Sequence, residues 1–131
     1  MPDINTRLSK AKTTVMLEHP FWGSLIMNMP FHLDENIPTA CTNGQWIKFN
    51  PHFLADKTDE NIKWILAHEI AHPMFDHCTR RGDRDPYKWN EAGDYVINQV
   101  LEDEKIGVRP SGVLFDPDLY KKGDGITDRI Y

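Results

Sequence analysis

The chain has 131 residues, of which 40% are hydrophobic and 27% charged, and its formal net charge is -5. This length suits one domain with a core of its own, so we expect a single domain over residues 1–131. The negative net charge gives no sign of the basic surface that nucleic acids and acidic lipids require, so we expect neither as a partner. The sequence shows neither the apolar run of a secretory signal nor that of a membrane span, so we predict a cytoplasmic protein.

The N-terminal half predicts a surface helix followed by a small sheet. An amphipathic helix is predicted over residues 3–17 from apolar residues at helical spacing, which are Ile4, Leu8, Ala11 and Val15. Residues 24–50 are typical of extended segments, and the last of these, QWIKFN, alternates in period two. The Asn43-Gly44 pair indicates a type-I′ hairpin turn. We therefore predict a small antiparallel sheet.

Two longer helices are predicted downstream of the sheet. Thr58 can cap the first, and apolar residues occupy nearly every face of that helix, so we expect it inside the domain. Asp85-Pro86 begins the second helix, which carries an apolar stripe and ends near Gly107. The remaining C-terminal residues are predicted to be mainly irregular.

The first of these helices contains the segment ILAHEIAH, an HExxH motif. His68 and His72 are four residues apart, so their imidazoles project from one face of the helix and can share one metal ion. In such sites zinc lowers the pKa of a water molecule, and the glutamate, here Glu69, takes its proton as the water attacks a carbonyl. Burying these three side chains without an ion would be costly, which favours a metal site over a core helix with incidental histidines.

A hydrolytic zinc ion needs a third protein ligand and an open fourth position. The candidates are Asp76, His77, Cys78, Glu91 and Asp94. In an ideal helix His77 would point about 140 degrees away from the histidine pair, although Pro73 can break that helix. On the following helix Asp94 lies at the border of the apolar stripe, whereas Glu91 points to the opposite side. We therefore predict Asp94 as the third ligand, with His77, Glu91 and Cys78 as alternatives.

Polar residues recur every four positions along one edge of the second helix. They are Asn90, Asp94 and Asn98. We predict that Asn90 and Asn98 orient the ligands or the substrate, with His77 in the same supporting role, whereas the alternative is an ordinary solvated flank. Three arginines in the loop before this helix, Arg80, Arg81 and Arg84, are predicted to brace that loop.

The segments TACTNGQWIKFNP, ILAHEIAH and RRGDRDPYKWNEAGDYVINQVL together resemble a metallopeptidase domain found at the N-terminus of proteins with a von Willebrand factor A-like C-terminal domain. The matching positions extend from Thr39 to Asn98. Asn43 stands where that family usually has aspartate. The von Willebrand-like half is not part of this sequence, so we expect a stand-alone version of the domain, of the kind that a phage or mobile element encodes.

The resemblance implies a minimal zincin-like fold of the α+β class, with a small antiparallel sheet packed beside the HExxH helix and a following ligand-bearing helix. An edge strand of that sheet, QWIKFN or its neighbour, is expected to pair with an extended peptide. The function we expect is zinc-dependent hydrolysis of peptide bonds in a peptide or protein substrate, with one Zn²⁺ per chain and Glu69 as general base. The alternative is a zincin scaffold that holds zinc in a closed site and binds a peptide or protein without cleaving it.

Overall fold

The computed structural model describes residues 3–75 and 77–131, without the side chains of residues 78 and 79. The described helices and strands are, in chain order, α1 (Ile4–Glu18), α2 (Pro20–Ile26), β1 (Phe31–Leu33), β2 (Ala40–Thr42), β3 (Ile47–Phe49), α3 (Pro51–Ala55), α4 (Asp59–Met74), α5 (His77–Arg80), α6 (Pro86–Glu104), α7 (Pro117–Lys122) and α8 (Thr127–Ile130). The predicted α+β class is confirmed.

The N-terminal helix agrees with the sequence prediction to within one residue at each end. Asp3 caps α1 by accepting a hydrogen bond from the backbone N–H of Thr6 at 2.8 Å. The prediction of an extended segment from residue 24 is wrong for residues 24–26, which belong to α2. Trp22 and Ile26 lie four residues apart on the buried face of α2, and packing of this face against α1 favours a helix there.

The three strands form one sheet in the order β1-β3-β2. Strand β3 pairs antiparallel with β2 and parallel with β1, so the prediction of an antiparallel sheet is wrong for one of its two strand pairs. The reason is topological. The chain reverses between β1 and β2 and again between β2 and β3, and β3 then inserts between the two earlier strands, which gives it the direction of β1.

The hairpin between β2 and β3 also differs from its prediction. Thr42 pairs with Ile47, which leaves a loop of residues 43–46. Gly44 has a φ of +92°, but Asn43 is not among the residues with positive φ, and a type-I′ turn would require both. Instead, Asn43 Oδ1 accepts hydrogen bonds from the backbone N–H groups of Gln45 and Trp46 at 2.9 and 3.1 Å. The side chain of Asn43 thus shapes the turn.

Helix α4 lies in the hydrophobic core, as predicted. Thr58 Oγ1 accepts from the N–H of Asn61 at 3.0 Å, and Asn61 Oδ1 accepts from the N–H of Thr58 at 3.2 Å, which completes a capping box. Helices α1, α2 and α6 and strand β2 pack around α4. The HExxH segment is therefore held on a buried element that neighbours fix from several sides. Among the described residues, no helix combines the length and apolarity needed to cross a membrane.

The C-terminal segment is more ordered than the sequence indicates. Helix α6 ends at Glu104, and Lys105 follows with a left-handed φ of +56°. The tail predicted to be irregular contains α7 and α8, and both pack against α6. Asp116 caps α7 through the N–H groups of Asp118 and Leu119. Such short helices have too few turns to give a clear sequence period, and tertiary contacts decide them.

Gly107 is predicted to be essential for the packing of α6 against α4. Its φ is +62°, and a Cβ at this position would overlap the carbonyl oxygen of Glu60 and lie 2.8 Å from the backbone nitrogen of Trp64. Gly82 has a similar φ of +58° but open space around it. Gly82→Ala should cost about 1–2 kcal/mol from backbone strain alone. Gly107→Ala should cost roughly 1–3 kcal/mol more because of the overlap. Urea unfolding of both variants measures the difference, and equal losses would contradict the prediction.

Candidate metal centre

Three side-chain atoms from α4 and α6 converge on one point. The Nε2 atoms of His68 and His72 lie 3.3 Å apart. Asp94 Oδ1 lies 3.1 Å from His68 Nε2 and 3.2 Å from His72 Nε2. We call these residues the His-His-Asp cluster, and their three atoms are close enough to hold a metal ion together.

Helical geometry explains how the cluster forms. His68 and His72 are one turn apart on α4, and Asp94 faces them because α6 packs directly against that helix. Glu91, the other acidic candidate on α6, is exposed and lies outside the cluster. Asp76 and the side chain of Cys78, two further candidates, lie outside the described part of the chain.

His77 lies beside His72 because α4 ends early. Pro73 occupies the last turn of α4, which stops at Met74, and Phe75 forms its C-cap. A new short helix, α5, begins at His77. The proline therefore stands in the last turn before the helix ends. An uninterrupted helix would have carried His77 away from the cluster.

His77 contacts the outer side of His72 instead of joining the three converging atoms. His77 Nδ1 lies 3.3 Å from His72 Nδ1, and His77 Nε2 lies 2.8 Å from Thr127 Oγ1. Burial, and then the neighbouring His72 and Arg80, lower the pKa of His77 to about 4, so its imidazole is neutral near pH 7. A neutral ring has one N–H, so one of its nitrogens donates and the other accepts in the contacts of His77 with Thr127 and His72. The contact at Nδ1 leaves His72 Nε2 facing His68 and Asp94.

Asn98 holds the outer ring nitrogen of His68, as His77 does for His72. Asn98 Oδ1 lies 2.8 Å from His68 Nδ1. An amide oxygen only accepts, so His68 donates from Nδ1, and once the ring has lost its second proton the Nε2 lone pair faces the cluster. The Asn98 amide nitrogen donates to the carbonyl of Leu114, which fixes its orientation, and the side chain is fully buried. Asn90, two turns before Asn98, is exposed and borders a cavity at the cluster.

Charge coupling within the cluster is strong. Burial alone would lower the pKa of His68, but the hydrogen bond and charge of Asp94, with the charge of Glu69, raise it to about 9. Burial likewise favours the neutral form of Asp94, yet hydrogen bonds from both histidines hold the pKa of that carboxyl well below its usual range. In the metal-free protein the Asp94 carboxylate therefore stabilises the protonated imidazole of His68.

Glu69 lies beside the cluster without joining it. Its side chain is buried, and among the described residues its carboxylate has no hydrogen-bond partner. Burial raises the pKa of Glu69, while the neighbouring His68 and His72 favour its ionised form. A carboxylate with a raised pKa and no fixed partner is suited to accepting and returning a proton.

Two cavities meet at Glu69 and the His-His-Asp cluster. One, of about 350 Å³, has mainly apolar walls that include Phe53, Trp64 and Val113, and we call it the apolar cavity. The other, of about 590 Å³, includes Asn43, Arg81 and Asn90, and we call it the polar cavity. The residues common to both are Thr39, Ala40, His68, Glu69 and Asp94. The cluster is thus open to ligands from two sides.

The C-terminal helix α8 contacts His77 and the loop that follows it. Thr127 reaches His77, and Asp128 pairs with Arg80 and Arg84 from the preceding loop. The side chain of Arg84 also donates to the carbonyl of Arg80 at 2.8 Å. Arg80 and Arg84 thus brace the loop as predicted, whereas Arg81 lines the polar cavity.

Sequence reasoning missed Thr127 and Gly93. Gly93 leaves room for His77, because a Cβ there would lie 2.9 Å from the Nδ1 atom of that ring. Gly93 is a glycine within a helix, a signal of close packing that could have been used. Thr127 gives no comparable signal, because only the folded tail brings it to the site.

The chain matches the model of a protein family over residues 3–125, and the description of that family is "Putative metallopeptidase domain". The chain belongs to this family. The match includes α4 and α6 and so the whole His-His-Asp cluster, and it confirms the resemblance seen in the sequence. No curated protein and no solved structure matches the chain with significance. Family membership and the cluster together indicate a metal-binding protein.

The metal-free cluster should bind metal more tightly as the pH rises. A metal ion must displace the proton of His68, whose pKa is about 9, so protons compete below that pH and cease to compete above it. Between pH 6 and 8.5 the apparent affinity for Zn²⁺ should rise about tenfold per pH unit. Competition with a chromophoric chelator measures this slope, and the exposed-histidine variant His52→Gln should retain it. A flat profile would contradict the prediction.

Asn98 and Asn90 form a matched pair of positions for testing whether the hydrogen bond from His68 to Asn98 strengthens metal binding. Asn98→Leu preserves the approximate volume but leaves His68 Nδ1 without its acceptor, so metal affinity should fall about 10–100-fold. Asn90→Leu, an identical change at an exposed position of the same helix, should leave the affinity within about twofold. Zn²⁺ titration measures both, after melting curves in chelator have shown that each variant folds. Equal affinities in the two variants would contradict the assignment of Asn98.

Proposed function

We propose that this protein is a zinc-dependent peptidase that hydrolyses peptide bonds, with Glu69 as general base and general acid. The observation that carries the proposal is the position of Glu69, which lies beside three convergent donor atoms at the meeting point of two cavities. A purely structural cluster would not need a buried carboxylate facing a cleft. Hydrolysis needs such a group in this place.

The donor set fits zinc. Two imidazole nitrogens and one carboxylate oxygen are ligands that zinc commonly takes in catalytic sites, with bonds of about 2.0–2.2 Å. Ligand atoms around a tetrahedral ion at these distances are about 3.3–3.6 Å apart, so small shifts of the side chains would admit the ion. The three separations in the cluster are 3.1, 3.2 and 3.3 Å. With three protein ligands, a fourth position stays available, as hydrolysis requires.

The chemistry assigns one task to each group. When bound, the metal ion supplies a Lewis acid that polarises the peptide carbonyl and makes water more acidic. Glu69 accepts a proton from water as the water oxygen forms a bond to the carbonyl carbon. Glu69 then gives this proton to the amide nitrogen as the C–N bond breaks, leaving a carboxylic acid and an amine. Burial raises the pKa of Glu69, which favours the first transfer and keeps the proton on the carboxyl group until the amide nitrogen takes it.

Strand β2 offers a docking edge for a peptide backbone. Within the described residues β2 forms one edge of the sheet, with its partner β3 on the other side. The N–H of Asn50 donates to the carbonyl of Thr39 at 2.7 Å, so Thr39 directs its carbonyl toward β3. Because successive residues of an antiparallel strand alternate, Ala40 directs its N–H and C=O to the free edge. Ala40 also lines both cavities, so a peptide paired there would cross the cluster.

Glu69→Gln tests the proposal directly. The change is isosteric, so the zinc content should equal that of the parent, while turnover should fall at least about 100-fold because the proton acceptor is lost. Cleavage of a quenched fluorescent peptide library by zinc-loaded protein measures turnover. Glu91→Gln, the same change at an exposed position of α6, should keep full activity.

Two other outcomes would contradict the proposal. A Glu69→Gln protein as active as the parent would remove the assigned mechanism. A parent protein that holds zinc, binds peptides and cleaves none of the library would instead support the alternative of a zinc-containing binding module. His68→Ala, which removes one ligand, should lose zinc and turnover together.

A further inference from the structure

We propose that the apolar cavity is a specificity subsite that accepts a large apolar side chain, such as that of leucine or phenylalanine, adjacent to the cleaved bond. The inference rests on the proposed function, because the cleaved bond is defined by the cluster and Glu69. It adds the substrate class, which neither the HExxH motif nor the family description contains.

The walls of the cavity carry the inference. Its apolar lining includes Phe53, Trp64, Ile65, Val113 and Leu114. Its volume of about 350 Å³ lies within the range of roughly 300–1,000 Å³ that is typical of ligand pockets. Placing an aliphatic or aromatic side chain there would remove apolar surface from water on both partners.

Lys57, the charged residue that lines this cavity away from the cluster and Glu69, already has partners. Lys57 donates to Asp56 at 2.9 Å, and its Nζ lies 4.6 Å from the ring centroid of Phe53. Its ammonium is therefore matched by a carboxylate and an aromatic face. An acidic substrate side chain would have to compete with Asp56 and would place its charge against apolar walls, which is unfavourable. The cavity thus favours an apolar occupant over an acidic one.

The docking edge of β2 places a side chain of the substrate at the mouth of this cavity. Ala40, whose backbone faces the free edge, lines the apolar cavity together with His68 and Glu69. In an extended peptide, successive side chains point to opposite faces. A residue next to a bond held at the cluster can therefore direct its side chain into the apolar cavity while its backbone pairs with β2.

A hydroxamate series tests the subsite without requiring turnover. N-acetyl amino-acid hydroxamates of glycine, leucine, phenylalanine and aspartate carry the same metal-binding group and differ only in the side chain. Isothermal titration of zinc-loaded protein should show leucine and phenylalanine compounds binding at least about tenfold more tightly than the glycine compound. The aspartate compound should show no gain over glycine.

A substitution that fills the apolar cavity provides a second test of the subsite. Val113→Trp places a large side chain in the apolar cavity, and the leucine gain should then fall below about threefold, with glycine binding unchanged. Val108→Trp, the same change at a residue that is 55% exposed and lies outside this cavity, should keep the full gain. If Val113→Trp fails to fold, the comparison of side chains on the parent protein still decides.

The outcomes separate the subsite from the proposed function. Measurable glycine-compound binding with equal leucine binding would overturn the subsite and leave the proposed function standing. Tightest binding of the aspartate compound would also overturn it. Failure of every hydroxamate to bind protein shown to hold zinc would contradict an open metal site, and so both the proposed function and the subsite.

Discussion

The structure depends on the close approach of two imidazole nitrogens and a carboxylate oxygen, 3.1–3.3 Å from one another. Three electron-rich atoms cannot remain at these distances without a positive charge among them. In the metal-free chain that charge is a proton, which is why the pKa of His68 rises to about 9. A divalent cation would satisfy the same three atoms with more charge and without the proton.

Several buried side chains around the cluster hold its two imidazole rings in place. Each histidine has its outer nitrogen fixed by a buried partner, Asn98 for His68 and His77 for His72. These partners are fixed in turn by the carbonyl of Leu114 and the hydroxyl of Thr127. Residues far apart in the chain thus hold the two rings so that both Nε2 atoms face Asp94. Glu69 lines both cavities beside the cluster without belonging to it.

Local signals in the sequence were sufficient for the helices that carry the site. The Thr58 cap, the Asp85-Pro86 start and the spacing of His68 and His72 depend on neighbouring residues, and the structure agrees with each. The border position of Asp94 also followed from helical periodicity. The strand order did not, because period-two patterns do not specify which strand inserts between two others. The contact of Thr127 with His77 was equally inaccessible, since it depends on how a tail without clear periodicity folds back onto α6.

Anomalous diffraction at the zinc edge, from crystals of protein purified without chelator, tests the proposed metal site most directly. Such a site predicts one strong anomalous peak per chain, about 2.0–2.2 Å from His68 Nε2, His72 Nε2 and Asp94 Oδ1, with a non-protein oxygen in the fourth position. A cluster without such a peak under excess zinc, or an ion whose fourth ligand is another protein side chain, would contradict it.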